Sequence, residues 1–158
     1  MDRIGIGYDL HRMAPGRPLM LGTVEVPHTF GLLGHSDGDV LAHAVADALL
    51  GASGLGEIGT LFPDSDPRWK GFRGADLLAQ VAGRLRDGGW RIGNVDSVVI
   101  AERPRLSPHQ SAMRDGLAAA LGVEVALVSV KIKSNEGCGA IGRGEAIAAQ
   151  AIARVIRD

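Results

Sequence analysis

Ser36-Asp37-Gly38-Asp39 runs directly into VLAHAVADALLGA, residues 40–52, and the reading of this stretch decides the fold. A serine or aspartate N-cap followed by a run of helix formers, with Gly51 near its end, predicts a helix over 40–52. Ahead of it, RIGIGY at 3–8 alternates small and apolar residues before polar Asp9, the pattern of a strand that delivers its end to a site. LMLGTVEV at 19–26 holds two short apolar runs about Gly22-Thr23 and predicts a small hairpin with a framing role. Beyond the helix, GLGEIGTLFPDSD at 54–66 is broken too often by glycine and proline for a long element, so it predicts a loop with one helical turn.

Leu77, Leu78, Val81, Ala82 and Leu85 have the spacing of a helix over 76–86, ended by Gly88-Gly89. Val98-Val99-Ile100 predicts a buried strand within 92–101, and 108–121 reads as a helix opened by Pro108 and closed by Gly122. In 128–133, Val128, Val130 and Ile132 alternate with Ser129, Lys131 and Lys133, a strand with one polar face. The last segment, 145–156, is read as helical through Ile147, Ala148, Ala151, Ile152 and Val155. Strands alternating with helices, without repeats or linkers, predict one α+β domain over 1–158 with α/β-like order: a single mixed β-sheet covered by helices.

Composition narrows the function. Charged residues are 22% of the 158 and nearly cancel to a formal net charge of −1, so no long-range field recruits nucleic acid or an anionic membrane. The partner expected is a small molecule. The single cysteine, Cys138, excludes an internal disulfide and favours a reducing cytoplasm; in a glycine-rich loop without a partner it reads as inert. MDRIGIGYDLH has no signal-peptide pattern, so the mature chain is expected to begin near Met1. No run approaches the ~18 apolar residues of a membrane span.

Asp9-Leu10-His11 puts a carboxylate and an imidazole on one side of an extended segment, within reach of one ion. His43 completes a set of two nitrogens and one oxygen, leaving a fourth tetrahedral position open, as in catalytic zinc sites. Asp39 and Asp47 stand one helical turn either side of His43, and one of them is expected to orient its second nitrogen. An exposed charged stripe is the plainer alternative. His35-Ser36 precedes the helix start, where free N–H groups suit a phosphate; equally, Ser36 is a simple cap and His35 a loop residue. Phe62-Pro63-Asp64-Ser65-Asp66 is by itself an ordinary turn. Lys133-Ser134-Asn135-Glu136, followed by a glycine-rich loop with Arg143, suits diphosphate oxygens and a second, oxygen-preferring cation. His28 and His109 read as surface or capping residues.

DLH at 9–11, HSDGDVLAHAVADALLGA at 35–52, LFPDSDPRWKG at 61–71 and GRGEAIAA at 142–149 together go beyond generic spacing. From near Arg3 to the last segment the chain closely resembles the 2-C-methyl-D-erythritol 2,4-cyclodiphosphate synthase family. The resemblance implies an enzyme of non-mevalonate isoprenoid precursor biosynthesis, a metal-dependent cyclising lyase. It converts 4-diphosphocytidyl-2-C-methyl-D-erythritol 2-phosphate to the cyclic diphosphate by attack of the 2-phosphate on the β-phosphorus, releasing CMP. It also implies a homotrimer around a central sheet-lined axis, active sites between subunits, one zinc ion per site, and magnesium or manganese on the substrate diphosphate.

Carried over by motif, Asp9, His11 and His43 would hold zinc, and Glu136 the second cation. His35 and Ser134 would stabilise the transition state. Leu10, with Asp9 and His11, and Ser36, with His35, would touch substrate. Glu57, Ile58, Gly59, Phe62, Pro63, Asp64, Ser65 and Asp66 would hold the erythritol part. Ala101, Glu102, Arg103, Pro104, Arg105, Leu106 and Ser107, with Lys133, Ser134, Asn135 and Glu136, would form the cytidine and diphosphate side. Ala140 and Arg143 would lie near a central cavity that in this family can hold an isoprenoid diphosphate.

Some positions depart from the family pattern. Glu57 stands for a common aspartate, Lys133-Ser134-Asn135 for a threonine-rich run, and Ala140 for a bulkier aromatic; Arg143 and Glu145 are retained. Two other readings share the metal ligands: a zinc-dependent phosphodiesterase or diphosphate hydrolase, and a non-catalytic, metal-stabilised trimeric binding module.

Overall fold

The N-terminal strand, β1 (Asp2–Pro15), is longer than the sequence suggests and carries Asp9 and His11 within it. The computed structural model describes residues 1–157. After β1 come the short strands β2 (Leu19–Leu21), β3 (Val24–Val26) and β4 (Phe30–Leu32), then α1 (Val40–Ser53) and the single turn α2 (Ile58–Leu61). The chain continues through α3 (Gly74–Asp87), β5 (Arg91–Ile100), α4 (Gln110–Leu121), β6 (Val128–Lys133), the short α5 (Gly139–Gly142) and β7 (Ala146–Ile156). One five-stranded sheet has the order β4-β1-β7-β5-β6; β5 and β6 are parallel and the other pairs antiparallel, so the sheet is mixed, as expected. The predicted hairpin is present as a separate β2-β3 ribbon.

The segment 145–156 is not a helix. It forms β7, paired with β1 on one side and β5 on the other. Its alanines and isoleucines satisfy a helical spacing, but the helical reading puts Ile152 on the buried face, and Ile152 is 50% exposed. Ala149, Ala151, Ala153 and Val155 alternate inward with period two.

Small residues on β1 explain how α1 seats. A Cβ at Gly5 would overlap the Ala48 carbonyl oxygen, and one at Gly7 the Ala44 carbonyl oxygen. The helix therefore lies on the strand at backbone distance, and His43 arrives beside Asp9. At its N-terminus the fully buried Asp39 accepts from the Ala42 N–H at 3.0 Å and also from Gly22 and Thr23 at 2.9 and 2.6 Å, which ties the hairpin to the helix. Burial raises the Asp39 carboxyl pKa against the pull of these bonds. Gly54, at φ 76°, closes α1 with a left-handed cap.

Leu78, Val81 and Leu85 of α3 and Met113, Leu117 and Leu121 of α4 extend the core begun by α1. The helices cover only one sheet face. On the other, Ile4, Ile6, Tyr8 and Ile152 are 74, 71, 55 and 50% exposed. Among the described residues no helix is long and apolar enough to cross a membrane.

Candidate metal centre and its pocket

Asp9 and His11 project from β1 on the same side, two residues apart, and His43 meets them from α1. One ligand atom from each of the three lies within 4.8 Å of the others. The Asp9 Oδ2 atom stands 2.8 Å from both His11 Nε2 and His43 Nδ1. The far nitrogens are also held. His11 Nδ1 donates to the Leu33 carbonyl, so loss of the Nε2 proton leaves the Nε2 lone pair facing the site. His43 Nε2 lies 3.1 Å from Ser36 Oγ, which itself accepts from the Gly38 N–H at 3.1 Å.

This donor set passes the test for a divalent ion. Two imidazoles and a carboxylate converge, both rings are oriented by outer hydrogen bonds, and one side faces a pocket. The expectation that Asp39 or Asp47 orients His43 is corrected: Asp39 is spent on three backbone N–H groups, and Asp47 Oδ1 accepts from the Ile58 N–H at 2.8 Å. The helical turns above and below His43 point to the hairpin and to the 57–59 loop, while Ser36 does the orienting.

Burial alone would raise the Asp9 carboxyl pKa, but hydrogen bonds from His11 and His43 outweigh it and hold the group well below the usual carboxylate range. The same Asp9 bond raises His11 above its ordinary 6.5, against burial. A metal must displace that proton from His11. Apparent metal affinity is therefore expected to start falling above pH 6.5 as pH is lowered, by about tenfold per unit below the raised pKa. Chelator competition between about pH 8 and 5 checks this; a flat profile down to pH 6 would count against it.

The triad opens into a pocket of about 420 Å³. Of the sequence-derived site residues, Asp9, His11, His35, Ser36, His43, Ile58, Gly59, Phe62, Pro63 and Asp64 line it. Gly34, Trp69, Phe72 and Leu77 join them without having been singled out. Phe62, Trp69 and Phe72 form an aromatic trio with ring centroids 5.0 to 5.8 Å apart. Their only sequence signal is an aromatic cluster flanking the proline-rich turn. Two buried nitrogens in this wall, His35 Nε2 and Trp69 Nε1, have no partner among the described residues, so a polar ligand would satisfy them.

The remaining site residues lie elsewhere. Leu10 faces the bare side of the sheet, opposite Asp9 and His11. Glu57 flanks α2, while Ser65 is exposed and Asp66 is bound by Arg68 at 2.5 Å. Ala101 to Ser107 and Lys133 to Glu136 form adjoining loops at the ends of the parallel β5 and β6. There Glu102 accepts weakly from Asn135 and Gly137 N–H at 3.4 Å, and Ser134 Oγ donates to Glu136 at 2.6 Å. These loops sit at the same sheet end as the triad but do not line its pocket. Arg143 is paired with Glu145 at 2.6 Å, next to the exposed Ala140. His28 lies beside Phe30 with the rings tilted at 40°, and His109 lies in a single turn ahead of α4.

Fold and site together define an α+β domain with a candidate metal centre, whose pocket offers a polar ligand two buried nitrogens left unpaired among the described residues. The chain belongs to the YgbB family, whose model matches residues 2–156. It is 55% identical to the 2-C-methyl-D-erythritol 2,4-cyclodiphosphate synthase of Synechococcus elongatus over 99% of this chain and 98% of that protein. Its fold superposes on the bifunctional IspDF of Campylobacter jejuni with a TM-score of 0.94 at 39% identity, covering 98% of this chain and 42% of that one. An IspF–CDP complex from Plasmodium falciparum gives a TM-score of 0.86 at 34% identity, covering 99% and 97%.

Proposed function

We propose that this chain converts 4-diphosphocytidyl-2-C-methyl-D-erythritol 2-phosphate to 2-C-methyl-D-erythritol 2,4-cyclodiphosphate and CMP. The observation that carries the proposal is the oriented Asp9, His11, His43 triad opening onto a pocket with the unpartnered His35 Nε2, in a chain 55% identical to such a synthase. An oxygen of the 2-phosphate attacks the β-phosphorus, the bond from that phosphorus to the CMP oxygen breaks, and CMP leaves with its electron pair. The attacking phosphate is already ionised near neutral pH, so the step needs in-line positioning and charge neutralisation, without a protein nucleophile or general base.

Zinc is proposed at the triad, where the cation supplies positive charge beside the phosphate. Glu136 is proposed to hold a magnesium or manganese ion with the diphosphate. His35 donates to the transferring group, and the 57–59 loop and Asp64 grip the erythritol hydroxyls. The cytidine side falls to the 101–107 and 133–136 loops, which do not line the triad's pocket in one chain; a site between neighbouring subunits of a homotrimer would bring them to it. The exposed apolar row of Ile4, Ile6, Tyr8 and Ile152 supports that assembly. The CDP complex of the Plasmodium falciparum relative supports a cytidyl ligand. The lone cysteine suits a cytoplasmic setting.

Phosphorus NMR of a reaction with the cytidyl substrate tests the reading. A cyclic diphosphate with CMP is the expected product; a linear monophosphate would favour the hydrolase, and no turnover with metal retained the binding module. Asp47 tests the loop. Asp47→Ala removes the 2.8 Å anchor of Ile58 and is expected to raise KM about tenfold, the worth of one hydrogen bond to a charged group, while zinc affinity stays near wild type. An unchanged KM would remove Asp47 from substrate binding.

A further inference from the structure

Arg17 lies in the turn between β1 and β2, half-buried and outside the pocket lining. Its Nη1 donates to the Gly34 carbonyl at 3.3 Å and its Nη2 to the Ser36 carbonyl at 3.1 Å, so the guanidinium brackets His35. The carbonyl between them, that of His35, accepts from the Gly71 N–H at 2.9 Å. The preceding carbonyl, that of Leu33, accepts from the ring of the metal ligand His11. Four consecutive carbonyls, Leu33 to Ser36, are thus all engaged, two of them by one side chain. With its backbone turned this way, the segment sends Ser36 Oγ to His43 and leaves His35 Nε2 buried at the pocket wall.

We infer that Arg17 is the positioning residue that fixes the His35–Ser36 segment over the metal triad. A planar fork of several donors spans two carbonyls two residues apart, which the single ammonium of lysine does not. No carboxylate lies within ion-pair distance of Arg17 among the described residues, so its fork is committed to the backbone. β4 is shaped for this contact: a Cβ at Gly31 would overlap the Pro18 carbonyl oxygen and come within 2.6 Å of that of Arg17. The glycine lets the turn lie flat on β4, within reach of Gly34.

The inference rests on the reading of the pocket as a metal-assisted phosphate site, and its test separates the two. Arg17→Ala and Arg17→Lys are compared with wild type for zinc affinity by chelator competition without substrate, and for kcat and KM with the cytidyl substrate. Both variants should lose about tenfold or more in zinc affinity, as when an outer partner of a ligand is removed. In both, kcat should fall about tenfold with a smaller change in KM. Millimolar guanidinium should restore part of the loss in Arg17→Ala and none in Arg17→Lys, whose side chain fills the space. Wild-type zinc affinity and kcat in Arg17→Ala would overturn the inference, as would full activity in Arg17→Lys, which would make charge alone sufficient. If Arg17→Ala does not fold, Arg17→Lys decides on the same two readouts. The zinc measurement uses no substrate, so it judges Arg17 even if wild type forms no cyclic diphosphate, a result that would sink the functional reading alone.

Discussion

Zinc retention is expected to vanish and turnover to fall steeply in His43→Ala while the fold survives. His43 supplies Nδ1 to the triad from a helix whose seating depends on neighbouring alanines and on Gly5 and Gly7, so the helix does not need the imidazole to stay in place. The variant leaves Asp9 and His11 as the two remaining ligands and frees Ser36 Oγ from its ring partner. Losing several kcal/mol of charge stabilisation at the reacting phosphate corresponds to a fall of about a thousandfold in kcat. Metal content by elemental analysis, circular dichroism and kcat measured on one preparation check the three parts of the expectation. Full activity in metal-free His43→Ala would contradict the metal's place in catalysis.

The second large effect is structural. Gly7→Val places a branched side chain where even a Cβ meets the Ala44 carbonyl oxygen and comes within 2.8 Å of the Ala48 nitrogen, both of them helix backbone. Neither atom belongs to a side chain that can swing away, so α1 must lift from β1. A destabilisation of about 3 kcal/mol, the upper end for overpacking, is expected from the shift in denaturant midpoint at unchanged slope. Because α1 carries His43 and β1 carries Asp9, zinc affinity should fall with stability. A variant as stable as wild type that still binds zinc tightly would mean the sheet and helix accommodate the side chain without separating.

The two predictions act on the same interface, and that interface marks how far the sequence could be read. The triad was legible because its signals are local: Asp9 and His11 share a strand face through a period of two, and His43 sits on a strongly formed helix. The cap was legible too, and Asp39 does cap α1. Its second duty, holding Gly22 and Thr23 from a distant hairpin, was not, since nothing in the spacing links residue 39 to residues 22 and 23. That duty explains why Asp39 is unavailable to His43. Ser36 takes the role because the loop before the helix folds back, held by His11, Arg17 and Gly71.

The segment 146–156 is the clearest division. Alanines and isoleucines at mixed intervals fit one face of a helix and one face of a strand alike, so local pattern does not choose between them. Pairing chooses: as a strand, this segment hydrogen-bonds to β1 and β5 at once and turns Ala149, Ala151 and Ala153 into the core. From the sequence came the class of fold, the helix over 40–52 with a serine or aspartate cap ahead of it, and Asp9, His11 and His43 as candidate metal ligands, read from local spacing and from the family resemblance. The identity of β7, the partner of each His43 nitrogen and the pocket wall of Phe62, Trp69 and Phe72 were decided only in three dimensions. Each depends on groups far apart in the chain, whose meeting is set by backbone pairing and close packing.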